Sequence, residues 1–170
     1  MPYVDNFDVM SLAPELKAEC PSEALFGSHR SLVIHGGFLG PSGSCTRLHV
    51  DSEDNIIYCA FGRKLFILLP PSAIDDVDYD ARGIPLEDPW HPAVEEKVKH
   101  HPMFRRCVDA VRVVVLGPGD LLVQPRGWLH MVYNLELSLS IACWAKACPP
   151  PGEASLGSDA SWVGHQAERV

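Results

Sequence analysis

The stretch GPSGSCTRLHVDSEDN, residues 40–55, places a histidine and an aspartate two positions apart, shortly after a turn rich in glycine and serine. The alternating residues that follow this turn predict a β-strand over residues 45–50. Side chains at positions i and i+2 of a strand point to the same face. His49 and Asp51 are therefore expected to aim at one point, which can hold a metal ion, a proton to be moved or only solvent.

Similar short apolar segments, rich in β-branched and aromatic residues and bounded by turn residues, lie on both sides of this stretch. One longer region, acidic and rich in proline, separates them and leads into a predicted helix at residues 93–101. Many short strands around one helical insertion predict an all-β fold, a double-stranded β-helix or jelly roll whose two halves face each other. The predicted strands cover residues 31–38, 45–50, 55–61, 64–69, 111–116, 121–124, 129–134 and 137–144.

This pattern divides the chain into three parts. Residues 1–30 are expected to form an N-terminal extension that packs on the barrel, with a short helix near residues 12–20. Residues 31–145 form the barrel domain itself. The tail at residues 146–170 is rich in Pro, Gly and Ser and is expected to be disordered.

The composition is that of a globular domain and argues against several classes of function. The chain has 170 residues, of which 46% are hydrophobic and 21% charged, enough for one domain with a core. Its net charge of −8 disfavours a nucleic-acid partner. No apolar run approaches the roughly 20 residues of a membrane span, and the start lacks the pattern of a signal peptide. The six cysteines form no C-x-x-C pair, which predicts a reducing compartment, the cytoplasm or the nucleus.

A second histidine completes a set of metal ligands. It ends the sequence GDLLVQPRGWLH, residues 119–130, where His130 follows a tight Pro-Arg-Gly turn and begins a strand. Two histidines and one carboxylate, here with His49 and Asp51, bind non-haem Fe(II) on one face and leave other positions open for O₂ and a cosubstrate. An H-x-D pair alone is weak evidence, and a lone histidine is more often packed or solvated. The turn before each histidine favours the metal site.

These sequences resemble a known family. Residues 40–72 and 116–144 are similar to the two halves of JmjC-type, cupin-like 2-oxoglutarate oxygenases, and the resemblance covers roughly residues 31–145. It includes a T-x-x-H-x-D-x-x-x-N string, a lysine fifteen residues after the first histidine, a Pro-Pro strand stop and G-W-x-H. The nearest relatives look like small JmjC hydroxylases, which act on protein side chains or, in one branch, on a modified tRNA base.

The resemblance implies a reaction and a set of ligands. His49, Asp51 and His130 would ligate Fe(II), with 2-oxoglutarate as cosubstrate and O₂ as oxidant. The favoured activity is hydroxylation of a side chain in a protein or peptide partner. Oxidation of an N-methyl group, which gives demethylation, and action on a modified RNA base stay open as alternatives.

Lys64 would pair with the distal carboxylate of 2-oxoglutarate, and Thr46 would hydrogen-bond the same carboxylate. The residues support this independently, because Lys64 alternates with Phe66 and Leu68 on one strand. A lysine buried among them is costly unless it has an anionic partner. Alternatively, Lys64 begins its strand and reaches solvent, and Thr46 is only a residue that favours strands.

Three further residues are expected near the cosubstrate, and two positions depart from the family pattern. Asn55 would lie at the metal-proximal end of 2-oxoglutarate, or it merely ends a polar turn. Ser140 and Trp144 share a strand face and are expected in the pocket wall. Many relatives carry a polar residue where this chain has Ala142. They also usually carry an upstream tyrosine that helps to hold 2-oxoglutarate, and Tyr3 is the sole tyrosine before the first motif of this chain.

Two rival functions follow from these departures. The first is a JmjC-like interaction domain without catalysis, which the short N-terminal side and Ala142 would suit. The second is a cupin enzyme that uses a metal without 2-oxoglutarate, such as an isomerase or another dioxygenase. The lysine and threonine argue against the second, because such an enzyme has no dicarboxylate tail to bind.

Overall fold

The computed structural model describes residues 2–20, 25–26, 30–78 and 94–147. The strands are β1 (Val4–Phe7), β2 (Arg30–Gly40), β3 (Cys45–Val50), β4 (Asp54–Phe61), β5 (Lys64–Leu69), β6 (Arg112–Leu116), β7 (Leu121–Gln124), β8 (Leu129–Asn134) and β9 (Ser138–Ala147). The α-helices include α1 (Val9–Leu12), α2 (Leu16–Glu19) and α3 (Val94–Lys99). Short 3₁₀ helices span Pro71–Asp76, Pro102–Phe104 and Val108–Ala110.

The strands form two antiparallel sheets that face each other. The first has the order β1-β2-β9-β4-β7 and the second has the order β3-β8-β5-β6. Strands distant in sequence pair in both sheets: β2 with β9, and β3 with β8. This pairing of the two halves of the chain is that of a double-stranded β-helix, so the predicted fold class is confirmed.

The predicted strands after residue 30 are all present, with ends shifted by up to three residues. The N-terminal region differs more from the expectation: strand β1 was not predicted, and the short helix divides into α1 and α2 around Pro14. Of the helical insertion, the structure describes α3, whereas residues 79–93 and the tail at 148–170 lie outside the described residues. Within the described part of the chain, none of the helices has the length and apolar character needed to cross a membrane.

Apolar side chains pack in three layers, one between the sheets and one on each outer face. The layer between the sheets includes Phe66 and Leu68, whereas the alternate β5 residues face the insertion on the other side. Helices α1 and α2 cover the outer face of the five-stranded sheet. Every residue of β5 is consequently buried, which fixes this strand and the residue at its start, Lys64.

Candidate active site

The pairing of β3 with β8 brings two histidines side by side. His49 and His130 are partners in the strand register, and their ring centroids are 4.0 Å apart. Asp51 follows the end of β3 by one residue. One potential ligand atom from each of the three residues lies within 4.8 Å of the others. Two imidazole nitrogens and one carboxylate oxygen in this arrangement fit a non-haem Fe(II) ion.

Backbone carbonyl groups orient both imidazole rings. The Nδ1 atom of His49 lies 2.7 Å from the carbonyl oxygen of Arg47, and Nδ1 of His130 lies 3.2 Å from that of Trp128. A carbonyl oxygen only accepts hydrogen bonds, so these two contacts favour the tautomer in which Nδ1 carries the proton and donates. The Nε2 atoms, which lie 3.8 and 3.9 Å from carboxylate oxygens of Asp51, are left with free lone pairs. Both rings therefore present the nitrogen that a metal needs.

Burial keeps His130 in the neutral form that binds metals. Its side chain is 4% exposed, whereas that of His49 is 34% exposed. Burial, together with the neighbouring His49, lowers the pKa of His130 to about 4. At neutral pH the ring of His130 is therefore uncharged, and a metal does not have to displace the second proton of an imidazolium.

Two side chains hold the carboxylate of Asp51. Its Oδ2 atom accepts hydrogen bonds from Trp144 Nε1 at 3.0 Å and from Asn55 Nδ2 at 3.1 Å. The amide oxygen of Asn55 in turn accepts from the backbone N–H of Cys143 at 3.1 Å. This network occupies Oδ2 and leaves Oδ1, 3.8 Å from Nε2 of His49, as the oxygen that can ligate a metal. Asn55 and Trp144, expected beside the cosubstrate, thus contact the carboxylate of the candidate metal site.

Lys64 lies at the other end of the site. It is 1% exposed, and its Nζ atom donates to the carbonyl oxygen of Phe38 at 2.9 Å. In the described part of the chain, no carboxylate forms an ion pair with it. Burial lowers the pKa of Lys64 to about 8. A buried ammonium group of this kind is costly to keep charged and is stabilised by an anionic ligand.

Tyr3 lies in the same pocket, a position that the sequence did not reveal. Strand β1 pairs with β2, with Val4 opposite Leu39, and this pairing carries Tyr3 to the pocket. Its hydroxyl group lies 2.6 Å from Oγ1 of Thr46, and burial raises the pKa of Tyr3 to about 12. A Cβ atom at Gly40 would collide with the Tyr3 ring, so the absence of a side chain there gives Tyr3 its room.

One pocket connects the two ends. It holds about 380 Å³ of empty space, its open mouth included, and apolar side chains separate the histidines from the lysine. Ser140 and Ala142 both lie in its wall, and Ala142 offers no polar side-chain atom there. The lining comprises Tyr3, Phe38, Thr46, His49, Asp51, Asn55, Ile57, Lys64, Phe66, His130, Val132, Ser140, Ala142 and Trp144.

Comparison with known proteins gives the same family and several relatives. The family described as "Cupin-like domain" matches residues 2–147. "JmjC domain-containing protein A" of Dictyostelium discoideum is 28% identical over 159 residues, which cover 85% of this chain and 58% of that protein. "2-oxoglutarate and iron-dependent oxygenase JMJD4" of Danio rerio is 31% identical over 114 residues, 65% of this chain and 26% of the relative.

A third relative is "Lysine-specific demethylase 8" of Danio rerio, which is 29% identical over 150 residues. The match covers 84% of this chain and 35% of that protein. The chain thus spans between about a quarter and three fifths of the length of these three relatives.

Proposed function

Since the chain belongs to the cupin-like domain family, we propose that it is an Fe(II)- and 2-oxoglutarate-dependent oxygenase that hydroxylates a protein side chain. The observation that carries this proposal is the combination of two features in one pocket. A histidine–aspartate–histidine set lies at one end, and a buried lysine without a carboxylate partner among the described residues lies at the other. The name of one relative, "2-oxoglutarate and iron-dependent oxygenase", supports the same chemistry.

The metal end has the donors that the proposed reaction needs. His49, Asp51 and His130 would hold Fe(II) on one face through two neutral nitrogens and one carboxylate oxygen. When bound, Fe(II) and 2-oxoglutarate supply O₂ activation coupled to decarboxylation, which yields succinate, CO₂ and a hydroxylated substrate. Asn55 and Trp144 keep the Asp51 carboxylate in place through their hydrogen bonds. This support preserves the ligand geometry while other positions stay open.

The lysine end has the donors for a carboxylate. The ammonium group of Lys64 would pair with the distal carboxylate of 2-oxoglutarate. The hydroxyl groups of Tyr3 and Thr46 are hydrogen-bonded to each other, so one proton of this pair would be donated to the same carboxylate. Ser140 contributes a further hydroxyl group to the wall. The apolar side chains between the two ends lower the local dielectric constant, which strengthens each of these polar contacts. A metal enzyme with a substrate lacking a second carboxylate would have no use for this end.

A protein or peptide is the substrate class that the observations favour. The relative named as a lysine-specific demethylase supports a side chain as the target, and the net charge of −8 disfavours RNA. Hydroxylation on the carbon of an N-methyl group would release that carbon as formaldehyde. Hydroxylation and demethylation use the same site and differ in which atom the substrate presents to it.

The test is succinate formation. Wild-type protein is incubated with Fe(II), 2-oxoglutarate, ascorbate and O₂, and a peptide library is then searched by mass spectrometry for the gain of one oxygen atom. Glu53→Ala, which removes a charge from the same loop, should match wild type, whereas Asp51→Ala should form no succinate. Formaldehyde release would assign demethylation instead of hydroxylation. If wild type neither binds 2-oxoglutarate nor forms succinate, the proposal is wrong.

A second candidate is an interaction domain that binds metal without catalysis. The buried side chain of Ala142 favours it, because this wall position lacks the polar group that many oxygenases of the resembled family carry. The two candidates separate on cosubstrate binding. The interaction domain would bind Mn²⁺ but show no heat on titration with 2-oxoglutarate.

A further inference from the structure

Gln124, the last residue of β7, is buried beside one of the metal-binding histidines. It is 2% exposed and pairs in register with Asn55 of β4, whose side chain points into the barrel toward Asp51. The amide nitrogen of Gln124 lies 3.1 Å from Nδ1 of His130. Its amide oxygen is the one buried side-chain N or O atom without a hydrogen-bond partner in the described part of the chain. An orphaned oxygen at this place requires an explanation.

The orphaned oxygen and the ring proton of His130 explain each other. Nδ1 also lies 3.2 Å from the carbonyl oxygen of Trp128, which only accepts, so a hydrogen bond between them requires the proton of the neutral ring on Nδ1. The amide nitrogen of Gln124 is a donor, so it cannot receive that proton. A half-turn of the amide group exchanges its nitrogen and oxygen with little change of shape. The oxygen then faces Nδ1–H and accepts from it.

We propose that Gln124 is a positioning residue for the metal site, and that its amide oxygen accepts a hydrogen bond from Nδ1–H of His130. The bond fixes the ring's tautomer and orientation and presents Nε2 to the metal. Ligating histidines commonly donate their second N–H to an acceptor that holds the ring and increases its basicity. The inference rests on the metal site of the proposed function and is independent of the cosubstrate and the substrate.

The two histidines differ in the length of their backbone hydrogen bonds, and this difference explains why the ring of His130 needs Gln124 as a second acceptor. His49 has a backbone acceptor at 2.7 Å, a distance typical of a good hydrogen bond. The backbone acceptor of His130 lies at 3.2 Å, at the long end of the usual range. A second acceptor from a neighbouring strand supplies the restraint that the longer bond lacks. Since β7 is paired with β4, the acceptor is held by the same sheet that carries Asn55.

Three variants test the inference by metal binding, without any turnover. Gln124→Met keeps a side chain of similar length and removes both hydrogen-bonding atoms. Gln124→Glu keeps an acceptor oxygen in either protonation state. Leu122→Met, two residues earlier on the interior face of the same strand, controls for packing because Leu122 does not line the pocket. Affinity for Mn²⁺ is measured by calorimetry at neutral pH, circular dichroism checks the fold, and ¹⁵N spectra of the metal-free wild type report the tautomer of His130.

We expect Gln124→Met to weaken Mn²⁺ binding by at least about tenfold, the usual effect of removing such a support. Gln124→Glu should retain an affinity close to wild type, as should Leu122→Met. The ¹⁵N spectrum of wild type should show the proton of His130 on Nδ1, a result that no folding defect of a variant can obscure. Wild-type affinity in Gln124→Met, or a proton on Nε2 in the wild type, would overturn the inference alone. Failure of wild type to bind Mn²⁺ would overturn the metal site as well.

Discussion

At the metal end of the pocket the carboxylate of Asp51 accepts hydrogen bonds from two side chains, whereas at the other end the ammonium of Lys64 donates to one carbonyl oxygen. The rings of His49 and His130, the histidines of the proposed metal site, are likewise each oriented by a backbone carbonyl group. The lysine is more deeply buried than the aspartate, yet among the described residues it has no carboxylate partner. The protein thus supports its anionic group internally, whereas the proposed cosubstrate would supply the anionic partner of its cationic group.

This difference indicates that the two ends act independently. The metal end is organised before any ligand arrives, because its hydrogen bonds come from the protein. Lys64 gains an anionic partner only when a ligand binds, so the positive charge of Lys64 favours binding of a dicarboxylate. Changes at one end are expected to affect one ligand and spare the other. The predictions below test that separation.

The largest effect is expected at Asp51. The change Asp51→Ala removes the carboxylate of the proposed ligand set, and we expect Mn²⁺ affinity to fall by more than about a hundredfold, beyond the loss typical of a supporting residue. Turnover should disappear with it, while the circular dichroism spectrum stays native-like. Glu53→Ala, a neighbouring carboxylate that accepts from Ser52, is the control. Retention of wild-type metal affinity by Asp51→Ala would show that Asp51 is not a ligand.

The converse change is at Lys64. Lys64→Met keeps most of the buried volume and removes the cation, whose hydrogen bond to a charged partner contributes about 1.5–3 kcal/mol. Affinity for 2-oxoglutarate should therefore fall by about tenfold or more, whereas Mn²⁺ affinity should stay within about twofold of wild type. Arg63→Met removes the same charge from an exposed ion pair with Glu136 and should change neither. Calorimetry with each ligand separates the two ends.

Trp144 tests how far the metal end depends on its support. Trp144→Phe removes the N–H that donates to Asp51, while Asn55 keeps its own bond to the same oxygen. We expect Mn²⁺ binding to weaken by about tenfold, the lower end of the range for supporting residues. Trp128→Phe makes the same substitution outside the pocket lining and retains the backbone carbonyl that contacts His130. If the two variants bind Mn²⁺ equally well, Trp144 has no supporting role.

The pH dependence of cosubstrate binding tests the charge of Lys64. Its pKa of about 8 lies below its usual value because of burial, so the ammonium is charged below this pH and neutral above it. The carboxylates of 2-oxoglutarate are ionised throughout this range. Affinity should therefore be full at pH 7 and fall by about tenfold at pH 9, where about a tenth of the lysine is charged. In Lys64→Met the affinity, although lower, should be flat over the same range.

The strand pattern of the sequence predicted the fold and much of the pocket. Short apolar segments with turn residues gave the strands of both sheets, and the period of two placed His49 and Asp51 on one face. The same period placed Lys64 with Phe66, and both line the pocket. These predictions succeed because they use the geometry of one strand at a time.

Contacts between strands distant in sequence were harder to predict from the sequence. Trp144 lies opposite Asn55 in the register of β4 with β9, and only this pairing brings both side chains to Asp51. Strand β1 is four residues long and largely exposed, and Asn6 within it has a φ of 50°. The sequence of β1 therefore shows no strand pattern. The position of Tyr3 depends on that strand. Residues that support a site from another part of the chain therefore need the sheet register.

The smallest effect is expected for Tyr3→Phe. The hydroxyl of Tyr3 lies 2.6 Å from Oγ1 of Thr46, and both residues line the pocket with Lys64, so Tyr3→Phe removes one hydroxyl group of the hydrogen-bonded pair at the proposed carboxylate site. A hydrogen bond of this kind contributes about 0.5–1.5 kcal/mol, which corresponds to roughly a two- to tenfold loss of 2-oxoglutarate affinity. The metal end should be unaffected, because the phenol contacts none of its ligands.

The matched control for Tyr3 is Tyr58→Phe, because the hydroxyl group of Tyr58 donates to Glu19 on the outer face of the sheet. Calorimetric titrations of 2-oxoglutarate into the Mn²⁺ forms of both variants compare the loss of the same atom inside and outside the pocket. Equal affinities would mean that Tyr3 serves only to hold Thr46 and the N-terminal strand. A loss confined to Tyr3→Phe, with Mn²⁺ affinity unchanged, would make the N-terminal segment part of the cosubstrate site and extend the separation of the two ends to the first residues of the chain.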